Sequence, residues 1–137
     1  MEPKKIRPVL FQGVSSSLSR TDPEWVEIVT AFSLGETPAA SRLTERERML
    51  CILSVLLGCQ GMGEYCHMLH AALNSGLDPV AVRETIYQAT AYLGIGRVHD
   101  FLEETNRIME QHGIPLPLPP QGTIGEDSHL EKGLAKQ

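Results

Sequence analysis

Apolar residues recur at helical spacing along most of this chain, and the interruptions fall on glycine and proline. Trp25, Ile28, Val29 and Phe32 stand at i, i+3, i+4 and i+7 and form an apolar stripe. Thr21-Asp22-Pro23-Glu24 opens that helix with a capping side chain, a proline in the first turn and an acid near the positive end of the dipole. Gly35 is expected to end it, and Pro38 to prevent a straight continuation. Thr44-Glu45-Arg46-Glu47 has the Ser/Thr-x-x-Glu form of a capping box, so a second helix begins near Glu45. From Met49 to Leu57 this helix is apolar around its whole circumference. Cys51, inside the run, is expected in the core. In so small a domain, a subunit interface is a natural source of the second cover.

The stretch from Gly58 to Gly63 is a glycine-rich break. It is not a phosphate loop, because no strand precedes it and no Lys-Ser/Thr follows. A third helix follows from Gly63 and closes at Asn74-Ser75-Gly76. Asp78-Pro79 starts a fourth in the style of Asp22-Pro23, with Val82, Ile86, Ala89 and Leu93 on one side. Gly94-Ile95-Gly96 breaks it. A fifth runs from Arg97 to His112 and turns Val98, Phe101, Leu102, Thr105, Ile108 and Met109 inward, with Gly113 as a left-handed cap. No strand pattern of useful length occurs. The expected fold is all-α, a compact bundle of about five helices over residues 21–113. Residues 1–20 read as an irregular arm with Ile6, Val9, Leu10 and Phe11 as anchors. Residues 114–137 read as a proline-rich, extended connector and a polar tail, with a weak helical turn near Leu130.

Composition narrows the function without naming it. The 137 residues suffice for one domain, and 42% apolar with 21% charged residues is ordinary for a soluble protein. A net charge of −5 without a basic stripe argues against nucleic acid, and no apolar run is long enough to span a membrane. Three cysteines are an odd number for a disulfide framework, and no secretory segment precedes them, so a reducing, cytoplasmic setting is expected.

The reactive groups concentrate on the third helix. Cys66 and His70 stand four residues apart on one face, His67 lies three before His70, and Glu64 three before His67. His70 is the best acid/base candidate by its titration range. A closed metal site is disfavoured, since one helix cannot wrap an ion and no second cluster has ligand spacing. His99, His112 and His129 are isolated and read as surface or cap-adjacent histidines. Cys59 reads first as a small buried apolar residue. Tyr65 and Tyr92 either line a pocket or finish the core.

An ordered series of short motifs, from about Leu43 to Gly113, resembles the carboxymuconolactone decarboxylase family, which includes the alkylhydroperoxidase-D-like proteins. The series comprises Thr44-x-Arg-Glu-Arg48, Glu64-Tyr65, His70-Ala-Ala-Leu-Asn-x-Gly76, Asp78-Pro79-x-x-Val-Arg-Glu84, Gln88-Ala89 and Tyr92-Leu-Gly-Ile-Gly-Arg97. The tail after Ile114 looks like the connector that follows the first repeat in two-repeat members. The resemblance implies an all-helical fold assembled as homo-trimers or hexamers, with active sites near subunit boundaries and a small-molecule substrate.

Two chemistries follow from the resemblance. In the decarboxylase branch no cofactor is required. His70 would be the acid/base, Cys66 its polar neighbour and Glu47 an orienting carboxylate, although Glu47 also fills the capping box. Arg48 or Arg97 would hold the carboxylate of a small lactone or enol-like substrate, with Tyr65, His67 and Tyr92 beside it. In the peroxidase branch a Cys-x-x-Cys precedes the histidine. Here Gly63 replaces the first cysteine, which leaves Cys66 as the peroxidatic thiol and Cys59 as the substitute resolving thiol. In one continuous helix those two would stand about 10 Å apart, too far for a disulfide. A third reading makes the chain a non-catalytic subunit that pairs with a second-repeat partner.

Overall fold

A computed structural model describes residues 10–14 and 16–120. Among them the chain is helical, with no strand. A single turn, α1 (Leu18–Thr21), precedes α2 (Pro23–Thr30), a π-helical segment Ala31–Glu36, and α3 (Thr37–Ala40). Four longer helices follow: α4 (Glu45–Gly58), α5 (Met62–Asn74), α6 (Pro79–Leu93) and α7 (Ile95–Gln111). Helix α4 packs on α5 and α6, and α7 packs on the same two, so the four long helices enclose one core.

The helix starts follow local chemistry. The Thr44 hydroxyl accepts the Glu47 amide hydrogen bond at 3.2 Å, and the Glu47 carboxylate returns a 2.7 Å bond to the Thr44 amide, completing the capping box of α4. Asp78 caps α6 by accepting from the Val80 amide at 3.0 Å, with Pro79 in the first turn. Gly113 stands at φ +73° just past α7, the left-handed conformation expected there.

Val98, Phe101, Thr105, Ile108 and Met109 are buried along α7, and Leu102 packs at the edge of the core. Val82 and Ile86 are buried on α6, with Ala89 and Leu93 against them. Helix α4 departs from expectation. Met49, Leu53 and Leu57, four residues apart, form its fully buried line, whereas Cys51 and Val55 face outward. The tyrosine of α5 completes the interior. Tyr65 is fully buried, its hydroxyl 2.7 Å from Thr105 Oγ1 and its ring edge-on to Phe101. The Tyr65–Thr105 bond lets the interior hold two hydroxyls without leaving either unsatisfied.

The first helical segment differs most from the sequence reading. Gly35 does not end it: the π turn carries the backbone through to Ala40, and the Thr37 amide reaches back five residues to the Phe32 carbonyl. The wider turn shifts the bonding partner by one residue, and the helical backbone continues through Pro38, which sits in the first turn of α3. The stripe Trp25, Ile28 and Phe32 points outward, Trp25 being 53% and Phe32 63% exposed. Val26 and Leu34 bury instead: the side of α2 turned toward the rest of the fold carries Val26, about 100° round the helix from Trp25.

The anchors of the preceding arm are partly as expected. Leu10 is buried, Phe11 packs against the core, and Asn74 Nδ2 donates to the Leu10 carbonyl at 2.7 Å. Ile6 and Val9, like the tail beyond Pro120 with Leu130 and His129, lie outside the described residues. Ile114, Leu116 and Leu118 lay the proline-rich connector along the core, with a cis peptide bond at Leu116–Pro117.

Candidate functional site

Helix α5 carries the reactive side chains on two sides. Toward α7 it presents Cys66 and His70, and toward the N-terminal segments it presents Glu64 and His67. The first side is the more constrained. His70 Nδ1 lies 2.9 Å from His112 Nε2, with ring centroids 5.1 Å apart and the planes inclined by 33°. One ring must donate and the other accept, so at least one of the two is neutral while the bond exists. Burial, followed by the nearby His112, His67 and Arg107, holds the His70 pKa below the ordinary histidine value.

One turn earlier on α5, the Cys66 Sγ sits 3.8 Å from Met62 Sδ and 4.0 Å from Glu104 Oε2. Burial first, and then the Glu104 carboxylate, push the Cys66 thiol up; Arg107 works in the opposite direction. Glu104 is itself gripped by Arg107 through Nε at 2.9 Å and Nη2 at 2.6 Å, which holds its carboxyl below the usual range. The face therefore holds two imidazoles, a thiol kept protonated, and an ion pair.

The second side borders a recess of about 460 Å³ between α5 and the N-terminal segments. Glu64 and His67 form part of one wall; Trp25, Val29 and Ser33 form part of the other. The His67 ring stacks on Phe11, with centroids 4.6 Å apart. Since His67 also perturbs His70, the recess and the imidazole pair are electrostatic neighbours.

Other residues singled out by the sequence lie elsewhere. Tyr65 is core. Glu47 is exposed, and its hydrogen bonds among the described residues go to Thr44, the cap role that competed with the catalytic one. Those bonds hold its carboxyl below the usual range. Arg48 is paired with Glu45 at 2.8 Å. Tyr92, 92% exposed, and Arg97 stand outward near the α6–α7 junction. Cys51 and Cys59 are exposed free thiols, a correction to the buried positions expected for both. The Cys59 sulfur faces its own helix, 3.6 Å from the Leu56 carbonyl.

The structure adds three residues: Glu104, Arg107 and His112. A signal for His112 was present, since it falls three and four residues after the inward-facing Met109 and Ile108 and so shares their side of α7. His112 is half-buried and bonded, which corrects its reading as an isolated histidine. Glu104 and Arg107 carried no comparable sequence signal.

Fold and site define a helical protein whose reactive groups are gathered between two packed helices. A family comparison matches residues 23–106, more than half of the chain, to "CMD: Carboxymuconolactone decarboxylase family", and the chain belongs to that family. Comparison with curated proteins and with solved structures finds no significant match. His112 lies six residues beyond the matched span, so the pair joins a residue inside the family region to one outside it.

Proposed function

We propose that this chain is an acid–base enzyme of the carboxymuconolactone decarboxylase type, acting on a small carboxylated lactone or enol-like substrate. The observation that carries the reading is the 2.9 Å bond between His70 and His112. When carbon dioxide leaves such a substrate, the electron pair of the broken carbon–carbon bond passes into the conjugated lactone as an enolate. A proton must then be added to carbon. His70 in its imidazolium form is a stronger acid than an ordinary histidine because its pKa is lowered. Its Nδ1–H would donate to His112 Nε2, which orients the ring, while its Nε2 gives a proton to carbon and regains one from water.

The recess beside His67 has the size of a small-molecule site. Thiol peroxidase chemistry is the weaker reading. It needs a thiolate, and both burial and Glu104 oppose one at Cys66. Pairing with a second-repeat partner has no observation in its favour beyond the tail sequence. A homo-oligomer, trimer or hexamer, suits the outward Trp25, Ile28, Phe32 and Val55, which another copy would cover. Such an assembly would also give the outward Arg97 and Tyr92 a neighbour's site to serve.

The test is a panel of small carboxylated γ-lactones incubated with the purified chain, with release of carbon dioxide as the readout. Turnover by the wild type that His70→Gln abolishes, with the fold intact, supports the reading. Turnover retained in His70→Gln removes His70 from the role.

A further inference from the structure

Arg83 lies on the inner side of α6, only 8% exposed and without a carboxylate partner among the described residues. Its Nη2 donates to the Pro119 carbonyl at 2.8 Å and its Nη1 to the Leu118 carbonyl at 3.4 Å. Its Nε–H is buried and has no hydrogen-bond partner among the described residues. The guanidinium carbon stands 5.2 Å from the Tyr87 ring centroid. A permanently charged group has thus been taken out of water and given two neutral acceptors and an aromatic face, with one buried nitrogen left unpaired among the described residues. Removing a cation from water is costly unless an anion and a full set of hydrogen bonds compensate.

The same arginine borders a recess of about 640 Å³ between α6, α7 and the proline-rich connector. Leu102, Leu116 and Leu118 give it apolar walls, and Asn106 adds a side-chain amide. The guanidinium edge made by Nε and Nη2 is the edge that grips a carboxylate through two parallel bonds. One oxygen would take the unused Nε–H, and the other a proton of Nη2.

We infer that Arg83 and this recess form a binding site for a small organic anion with an apolar body and one carboxylate. The carboxylate meets the Nε edge of Arg83, and the body lies against the leucines beneath the connector. Because Nε is closed to solvent, binding requires the Leu118–Pro119 backbone to yield part of its hold on the guanidinium. Occupancy of the site therefore repositions the connector. This site is independent of the chemistry proposed at His70.

The test uses the full chain and benzoate as probe, with benzamide and inorganic phosphate as controls, followed by nitrogen–proton NMR that includes the arginine Nε–H resonances. Benzoate is expected to shift the Arg83 Nε–H together with the Asn106, Leu116 and Leu118 amides, saturably, while benzamide and phosphate leave them in place. Because Arg83 also holds the connector, its removal can unfold that segment, so the variant of choice is Arg83→Lys. This keeps a cation but no Nε edge, and it is expected to weaken benzoate at least about tenfold in a chain of unchanged circular dichroism. No saturable shift at Arg83, equal binding of benzamide or phosphate, shifts confined to the His70–His112 face, or undiminished binding by a folded Arg83→Lys would each overturn the inference.

Discussion

His70 on α5 and His112 at the end of α7 share a 2.9 Å hydrogen bond between ring nitrogens, although 42 residues separate them in the chain. The bond ties the last turn of one helix to the middle of another, and it can exist only while one of the rings is neutral. Several measurable consequences follow from that restriction.

Stability should depend on pH through His70. The folded state holds its pKa below the unfolded value of about 6.5, so between the two pKa values the unfolded chain binds more protons. The contribution is fully present above pH 6.5 and is lost as pH falls through the folded pKa. Thermal unfolding is expected at a lower temperature at pH 5 than at pH 7.5, and His112→Gln should flatten the difference. A His70 proton resonance titrating at or above the ordinary value would contradict this.

Activity should have the opposite slope. With the His70 imidazolium as donor, kcat/KM on a lactone acid falls as pH rises through its lowered pKa. His112→Gln removes one of the influences that lower that pKa, after burial the largest. Its alkaline limb should move to higher pH while the maximal rate drops. A pH profile unmoved by His112→Gln would exclude the coupling.

Cys66 should be the least reactive of the three thiols. Cys51 and Cys59 are exposed, whereas burial and Glu104 keep Cys66 protonated. At neutral pH, alkylation followed by peptide mass spectrometry is expected to label Cys66 last. Glu104→Gln should speed its labelling by removing the adjacent negative charge. Fastest labelling at Cys66 in the wild type would return thiol chemistry to first place.

Glu47 offers a separation of cap from catalyst. Glutamine satisfies the same capping box, so Glu47→Gln should leave both stability and turnover close to wild type. Thr44→Ala should cost about 1 kcal/mol in denaturant unfolding, without changing kcat. A large loss of kcat in Glu47→Gln would show that the carboxylate reaches substrate.

Inside the bundle, Tyr65→Phe leaves Thr105 Oγ1 without its partner and should destabilise by about 1–3 kcal/mol. Adding Thr105→Val removes the orphaned hydroxyl and should recover part of that loss. Burial also pushes the Tyr65 pKa up to about 12, so its phenolate absorbance should be missing at pH 10.5 in the folded protein. Additive losses in the double mutant would indicate that the two hydroxyls are satisfied independently.

The sequence by itself determined the local structure. Helix starts at Thr44 and Asp78, the stop at Gly113 and the inward line of α7 depend on residues a few positions apart, whose chemistry acts wherever the helix packs. It also singled out α5 as the helix with the reactive groups and carried the family resemblance. Tertiary structure decided which of those groups meet. His112 became the partner of His70 because α7 runs alongside α5 in the same direction, so that Tyr65 meets Phe101 and Thr105, Cys66 meets Glu104, and His70 meets the residue just past the last turn of α7. The outward turn of Trp25 and Phe32 and the burial of Arg83 were equally illegible. A residue pattern fixes which side of a helix is apolar, but only the packed neighbours fix which side is covered.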